Sequence, residues 1–189
     1  MKRLLLSLLL VVFAGHVSAD DALPTDSVYQ ANIALVDQAG QPWHWNERRG
    51  HVQIVSMFYT SCTMVCPMIV DTMKLTAQHV SSDKRDRLHL LLVSFDPATD
   101  SVAVLRDYAR QRKLPTPAWM LARTAQRADT RRVAALLGLQ YRQLPDGDFN
   151  HSSELVLLDA DGRIVGRTSE MGRVDPDFVR AVEQALSRE

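Results

Sequence analysis

Both cysteines of the chain, Cys62 and Cys66, fall in one run, MFYTSCTMVCPMIVDTM. A C-x-x-x-C-P arrangement admits three chemistries: a structural disulfide, a thiol–disulfide couple, or two arms of a metal site. The last two use the thiolate, which attacks disulfides and binds soft metals. Cysteines at i and i+4 beside a helix start can face one side, so a disulfide between them is open. The same presentation puts two sulfurs around one ion. Such a pair favours Cu(I), which accepts two or three soft ligands, whereas structural zinc wants four. One histidine makes a convincing third ligand: His151, in DFNHSSELVLLD.

The elements that must position these groups follow from hydrophobic period. NIALVDQAGQPWHW reads as a hairpin turning over Asp37 to Gly40. HVQIVSMFY is nearly continuously apolar, as a central strand buried on both faces requires. Pro67 suits the first turn of the helix that follows, where its missing N–H costs nothing, and Ile69, Met73 and Val80 continue at helical spacing. LHLLLVSF is a second buried strand ending at Asp96-Pro97. Asp100 is expected to cap a helix with Val102, Leu105 and Ala109 on one face. AWMLA is a short strand, residues 128–137 a helix stopped by Gly138, and ELVLLDADGRIVGRT a hairpin turning at Asp161-Gly162. Asp175-Pro176 opens a last helix that buries Phe178, Val182 and Leu186.

This order predicts a thioredoxin-like α/β fold: a central mixed sheet flanked by helices, with an N-terminal β-hairpin. The cysteine pair then lies where a buried strand ends and a helix begins. Free N–H groups and the positive helix end stabilise an anion there, so thiols should ionise below the free value of about 8.5. The loop entering the last hairpin lies opposite that helix. Thioredoxins place a cis-proline in it to receive a substrate disulfide, whereas this chain has His151, a nitrogen to add to two sulfurs.

Length and composition bound the alternatives. The chain has 189 residues, 46% of them hydrophobic, with 22 basic and 22 acidic side chains. Residues 1–19 read as a secretory signal: Lys2 and Arg3, an apolar run from Leu4 to Ala14, and Val17-Ser18-Ala19 as the cleavage site. The expected mature protein is exported to the periplasm after cleavage at Ala19. An uncleaved membrane anchor is the weaker alternative, because the apolar run is shorter than the ~20 residues that span a bilayer. Residues 20–30 read as a flexible lead and 31–189 as one domain, large enough to bury a core without disulfide staples. Without Lys2 and Arg3 the balance is slightly acidic, so nucleic acid is not a natural partner.

Three segments together, FYTSCTMVCP, VSFDPATDSVAVLRDY and NHSSELVLLDADGRIVG, resemble the SCO/SenC family of copper-binding, thioredoxin-fold cytochrome c oxidase assembly proteins. The resemblance covers roughly Ile33 to the last helix. It implies Cys62 and Cys66 as thiolate ligands, His151 as the imidazole ligand, and Asp96 nearby as a supporting or occasional ligand. One copper per chain, Cu(I) or Cu(II), is the implied cargo. The implied partner is the copper-bearing subunit of a respiratory oxidase, with another exported copper carrier or thiol reductant upstream. The protein is expected to act as a monomer and to be an assembly factor rather than an enzyme. The rival is a thiol–disulfide reductase working through Cys62 and Cys66 without His151. A peroxidase ranks last, because Tyr59 stands where a peroxidatic site needs Thr.

The remaining candidates have blander readings. Met64 reads as packing rather than ligation, and Met57, Met68 and Met73 as core filler. His44 reads as a surface side chain between Trp43 and Trp45, and His51, His79 and His89 lack a cysteine or carboxylate arrangement that would make them ligands. Asp96 before Pro97 is equally an ordinary turn residue. Arg131 and Arg132 read as a solvated helix face.

Overall fold

The structure, a computed structural model, describes residues 22–145 and 147–188. The expected signal over residues 1–19 lies outside them. Its centre is a seven-stranded mixed sheet in the order β2-β1-β5-β4-β3-β8-β9. Strand β3 (Gln53–Phe58) is buried along its whole length and pairs in parallel with β4 (His89–Ser94) and antiparallel with β8 (Leu155–Leu158). Parallel pairing then runs from β4 to β5 (Trp119–Thr124). Apolar runs without alternation sit where both sheet faces are covered, as their composition requires.

The helices provide that cover. They are α1 (Val65–His79), the short α2 (Ser82–Arg85), α3 (Val102–Gln111), α4 (Arg127–Leu137) and α5 (Pro176–Leu186). Ile69 and Met73 of α1, Leu105 of α3, Val133 and Leu137 of α4, and Val182 and Leu186 of α5 enter one core with the sheet. The anticipated stop and start signals act as such: Gly138 closes α4 in the left-handed region, and the Asp175 carboxylate accepts the N–H groups of Asp177 and Phe178 to open α5.

Both anticipated hairpins form. Strands β1 (Ala34–Asp37) and β2 (Pro42–His44) extend the sheet beyond β5, and β9 (Ile164–Thr168) completes the other edge against β8. A further hairpin, in a stretch the periodicity left unassigned, joins β6 (Tyr141–Gln143) to β7 (Phe149–His151) as a separate two-stranded sheet. It carries His151 at its end.

The expected flexible lead over residues 20–30 needs correction in its second half. Residues Val28–Ala31 form a 3-10 turn, and Ser27, Val28 and Tyr29 are buried. Val28 N–H donates to the Gly162 carbonyl at 3.0 Å, and the Ser27 hydroxyl to the Asp161 carbonyl at 2.5 Å. The lead is therefore stitched to the β8–β9 turn. That turn needs glycine twice over: Gly162 has φ +77°, and a Cβ there would lie 2.5 Å from the Tyr29 ring. Replacing Gly162 with Ala combines a left-handed backbone penalty with overpacking, for an expected loss of about 3 kcal/mol in urea unfolding. An unchanged midpoint would mean that the lead does not pack as described.

Candidate metal centre

The cysteines occupy two different local environments. After β3 ends at Phe58 the chain turns, with Cys62 N–H donating to the Tyr59 carbonyl at 3.3 Å. Cys62 stays in this turn, half-buried, while Cys66 is the second residue of α1 and fully buried. The N-cap residue of α1, Met64, offers no capping side chain. A sulfur takes up part of that function: Cys66 N–H donates to Cys62 Sγ at 3.4 Å.

That arrangement splits the two thiols electrostatically. Burial works against ionising Cys62, but the N–H groups of Cys66, Met64 and Val65 and the Cys66 side chain outweigh it, and its pKa ends below the usual thiol value. Burial dominates at Cys66 and pushes its thiol well above the usual range, with the nearby Cys62 and Asp100 charges adding to the rise. The expectation that a helix start favours the thiolate thus holds for Cys62 and is corrected for Cys66, which lies too deep to benefit.

His151 comes in from β7 across the sequence. Its Nε2 lies 3.8 Å from Cys66 Sγ, and its Nδ1 is 3.0 Å from the Ser152 carbonyl. A carbonyl can only accept, so Nδ1 carries the proton and, in the neutral ring, the Nε2 lone pair faces the sulfurs. One donor atom from each of Cys62, Cys66 and His151 lies within 4.8 Å of the other two. Two sulfurs and an imidazole nitrogen at this separation suit a soft ion of low coordination number. Among the described residues this is the one such group of three or more ligand-type side chains.

Asp96 is not part of that group. Its carboxylate accepts Thr99 N–H at 3.4 Å, the role of a turn residue. The carboxylate bonded to the cysteine loop is Asp100, expected to be a helix cap; Ser101 performs that job instead, accepting Val104 N–H. Asp100 is buried and accepts from the Thr60 N–H at 3.3 Å, the Thr60 hydroxyl at 2.5 Å and the Ser94 hydroxyl at 2.5 Å. It ties the chain two residues before Cys62 to the end of β4. Burial raises the Asp100 pKa, and the Ser94 and Thr60 hydrogen bonds hold it partly back. On the other side, Arg112 of the α3 C-terminus donates to the Pro67 carbonyl at 3.1 Å and to Asp71 at 2.7 Å, holding the first turns of α1.

Aromatic rings enclose the histidine. Phe95 lies 4.9 Å and Tyr59 6.0 Å from the His151 ring, and Phe149 packs 5.1 Å from Tyr59. Burial pushes the Tyr59 hydroxyl up to about 12. No local spacing marks these residues, because they come from three separate segments.

The other candidates fall away from the site or outside its chemistry. His44 is exposed, as expected. The His51 and His89 rings lie 4.5 Å apart at a tilt of 36°, with burial and then His51 and Arg48 pushing His89 down to about 4. Met57 and Met73 are core residues, but Met68 is 43% exposed and Met64 81% exposed, so neither of these two is filler.

Residues 22–186 match the profile of the SCO1/SenC family. The chain belongs to the SCO1/SenC family. A provisionally named copper-binding protein of Stutzerimonas stutzeri is 27% identical over 161 residues, spanning 83% of this chain and 76% of that protein. The same architecture appears in copper-bound ScoI of Arabidopsis thaliana, at 16% identity and a TM-score of 0.69 over 83% of this chain and 97% of that one. It appears again in BsSco, described as having a disulfide switch and belonging to the Sco family of cytochrome c oxidase assembly proteins, at 20% identity and a TM-score of 0.64 over 82% and 92%. At such identities these two structures establish the shared fold. Among the described residues of this SCO1/SenC chain, no helix is long and apolar enough to cross a membrane.

Two outcomes follow from the geometry. In the reduced protein near neutral pH, iodoacetamide should modify Cys62 at least about tenfold faster than Cys66, read by peptide mass spectrometry; equal rates would contradict the split. Asp100→Ala should cost about 2 kcal/mol or more in urea unfolding by leaving Thr60 and Ser94 unpaired, whereas Asp96→Ala should cost under about 1 kcal/mol.

Proposed function

We propose that this protein binds one copper ion through Cys62, Cys66 and His151 and delivers it to the copper centre of a respiratory cytochrome c oxidase. The observation that carries the reading is the convergence of two sulfurs and a correctly oriented imidazole nitrogen within 4.8 Å. The copper in Arabidopsis ScoI, the copper-binding name of the Stutzerimonas relative and the oxidase-assembly description of BsSco support the choice of ion and pathway. The acceptor is the copper-bearing subunit of the oxidase. The protein works as an exported, periplasmic monomer released after Ala19, and residues 31–189 with the packed turn before them form the copper-binding domain.

The residues divide the task. Cys62 lies half-buried and readily ionised, so it meets an incoming or outgoing ion first. Cys66, buried and protonated without metal, must release its proton as the sulfur binds. His151 closes the site from the opposite side. In the acceptor, thiols and imidazoles replace these ligands one at a time, so atoms are exchanged and no electron need move.

A second reading has a specific observation behind it. One low-pKa, accessible thiol beside a buried high-pKa partner is also how an attacking and a resolving cysteine divide their work, and BsSco is described as having a disulfide switch. In that reading the protein reduces the acceptor's cysteines, ending with a Cys62–Cys66 disulfide, and His151 is dispensable.

An anaerobic titration of the reduced protein with copper separates the two. The expected result is one equivalent bound tightly, with a sulfur-to-Cu(II) absorption band lost in Cys62→Ser or Cys66→Ser and altered, with weakened affinity, in His151→Ala. Because Cys66 holds its proton across neutral pH, apparent affinity should rise by at least about tenfold per pH unit between about pH 7 and 9 and fall on acidification. Weak binding indifferent to His151→Ala, alongside intact disulfide turnover, would favour the reductase.

A further inference from the structure

Beside the metal centre, α4 and the β6–β7 hairpin enclose a cleft of about 720 Å³. Phe95, Tyr141 and Phe149 contribute aromatic walls, and Arg127, Arg131 and Arg142 bring three guanidinium groups to it. Arg127 and Arg131 are one helical turn apart on α4, which sets them on the same face. Their neighbour Arg132 points elsewhere, paired with Asp129 at 2.8 Å and bonded to the Ala31 carbonyl. Arg131 and Arg132 are both exposed on α4, as expected of a solvated face, but they meet different neighbours.

The three cleft arginines differ from the arginines that form ion pairs. Arg49, Arg112, Arg163, Arg167, Arg173 and Arg180 all hold a carboxylate. Arg127, Arg131 and Arg142 pair with none among the described residues, although Asp96 stands on the same wall. Three exposed, unneutralised guanidiniums in a cleft shared with aromatic rings leave a local positive charge on a chain whose overall charge is balanced.

The cleft also communicates with the site. Tyr141 and Arg142 line a second hollow together with His151, and Tyr141 lies directly opposite His151 in the β6–β7 register. Phe95, on the cleft wall, is the ring 4.9 Å from His151. Whatever occupies the cleft sits beside a proposed copper ligand.

We propose that this cleft docks an acidic, aromatic-containing segment of the protein with which this chain exchanges copper. The proposal rests on the copper-exchange reading above. Guanidinium groups bind carboxylates in bidentate pairs, the rings accept apolar side chains between those pairs, and the arrangement aligns the partner's own ligands with the His151 side of the centre. Such pairing accelerates encounter and sets orientation. The concave shape with ring walls favours a peptide over a flat anionic lipid surface.

The test uses the metal-free protein and a fluorescein-labelled peptide of alternating Glu and Phe, with inorganic phosphate and phosphatidylglycerol vesicles as competitors. Expected are a rise in peptide anisotropy that weakens from about 50 to 200 mM salt, and an affinity loss of at least about tenfold in Arg127→Glu/Arg131→Glu. Arg180→Glu, on distant α5, should bind as wild type. No salt-sensitive binding, or binding indifferent to the double substitution, overturns the proposal. Competition by phosphate at concentrations comparable to the peptide would reassign the cleft to small anions, and stronger capture by vesicles would reassign it to a lipid surface; either outcome also overturns it. Copper stoichiometry, measured on the same double variant, should stay at wild-type level. Failure of copper binding would fall on the metal centre, whereas failure of peptide binding alone falls on the cleft.

Discussion

The hydrogen bond from Cys66 N–H to Cys62 Sγ joins the fold to the chemistry. It exists because β3 is buried on both faces and delivers the chain, at Phe58, into a turn that must start a helix without a capping side chain. Helix-start N–H groups need acceptors, and a sulfur is supplied. The acceptor is thereby charged more easily, while its partner one turn on is drawn into the core. A single structural requirement therefore produces one accessible, more readily ionised thiol and one protected thiol.

The rest of the site can be understood as support for that turn. Asp100 ties Thr60 to Ser94 from the β4 side, and Arg112 holds the Pro67 carbonyl from the α3 side. Both contacts connect the ends of parallel-strand crossovers, so they stiffen the junction without occupying ligand positions. The histidine is treated differently. It sits on a small separate hairpin outside the main sheet and makes its contacts through rings, with Phe95 and Tyr59 around it. A side chain on such a hairpin can yield its place more readily than one locked in the central sheet, which suits the proposed copper exchange.

Element order was legible because the sequence punctuates it. Gly138 at a helix end, Asp175-Pro176 at a helix start and Asp161-Gly162 at a turn each act through their own backbone preference, which does not depend on distant residues. Weaker local signals misled. Asp100 has the type of a cap and stands near a helix start, but Ser101 is one residue closer and frees Asp100 to turn inward. Residues 27–30 look like a lead because the turn that covers them lies more than 130 residues away. Met68 has the period of a core residue but lies 43% exposed on the surface of α1.

The sequence by itself determined the candidate donor set, since two sulfurs and a histidine are matters of residue type, and it determined the strand-to-helix junction, since apolar runs, proline and glycine act locally. Tertiary structure decided how those donors behave. Burial depth separated the two thiols, a carbonyl one residue on oriented the imidazole, and the choice of Asp100 over Asp96 depended on which carboxylate the packed loop could reach. The cleft beside His151 is of the same kind, for its arginines come from two elements that meet in space. Desolvation and long-range contact have no representation in spacing along a chain, and these properties depend on both.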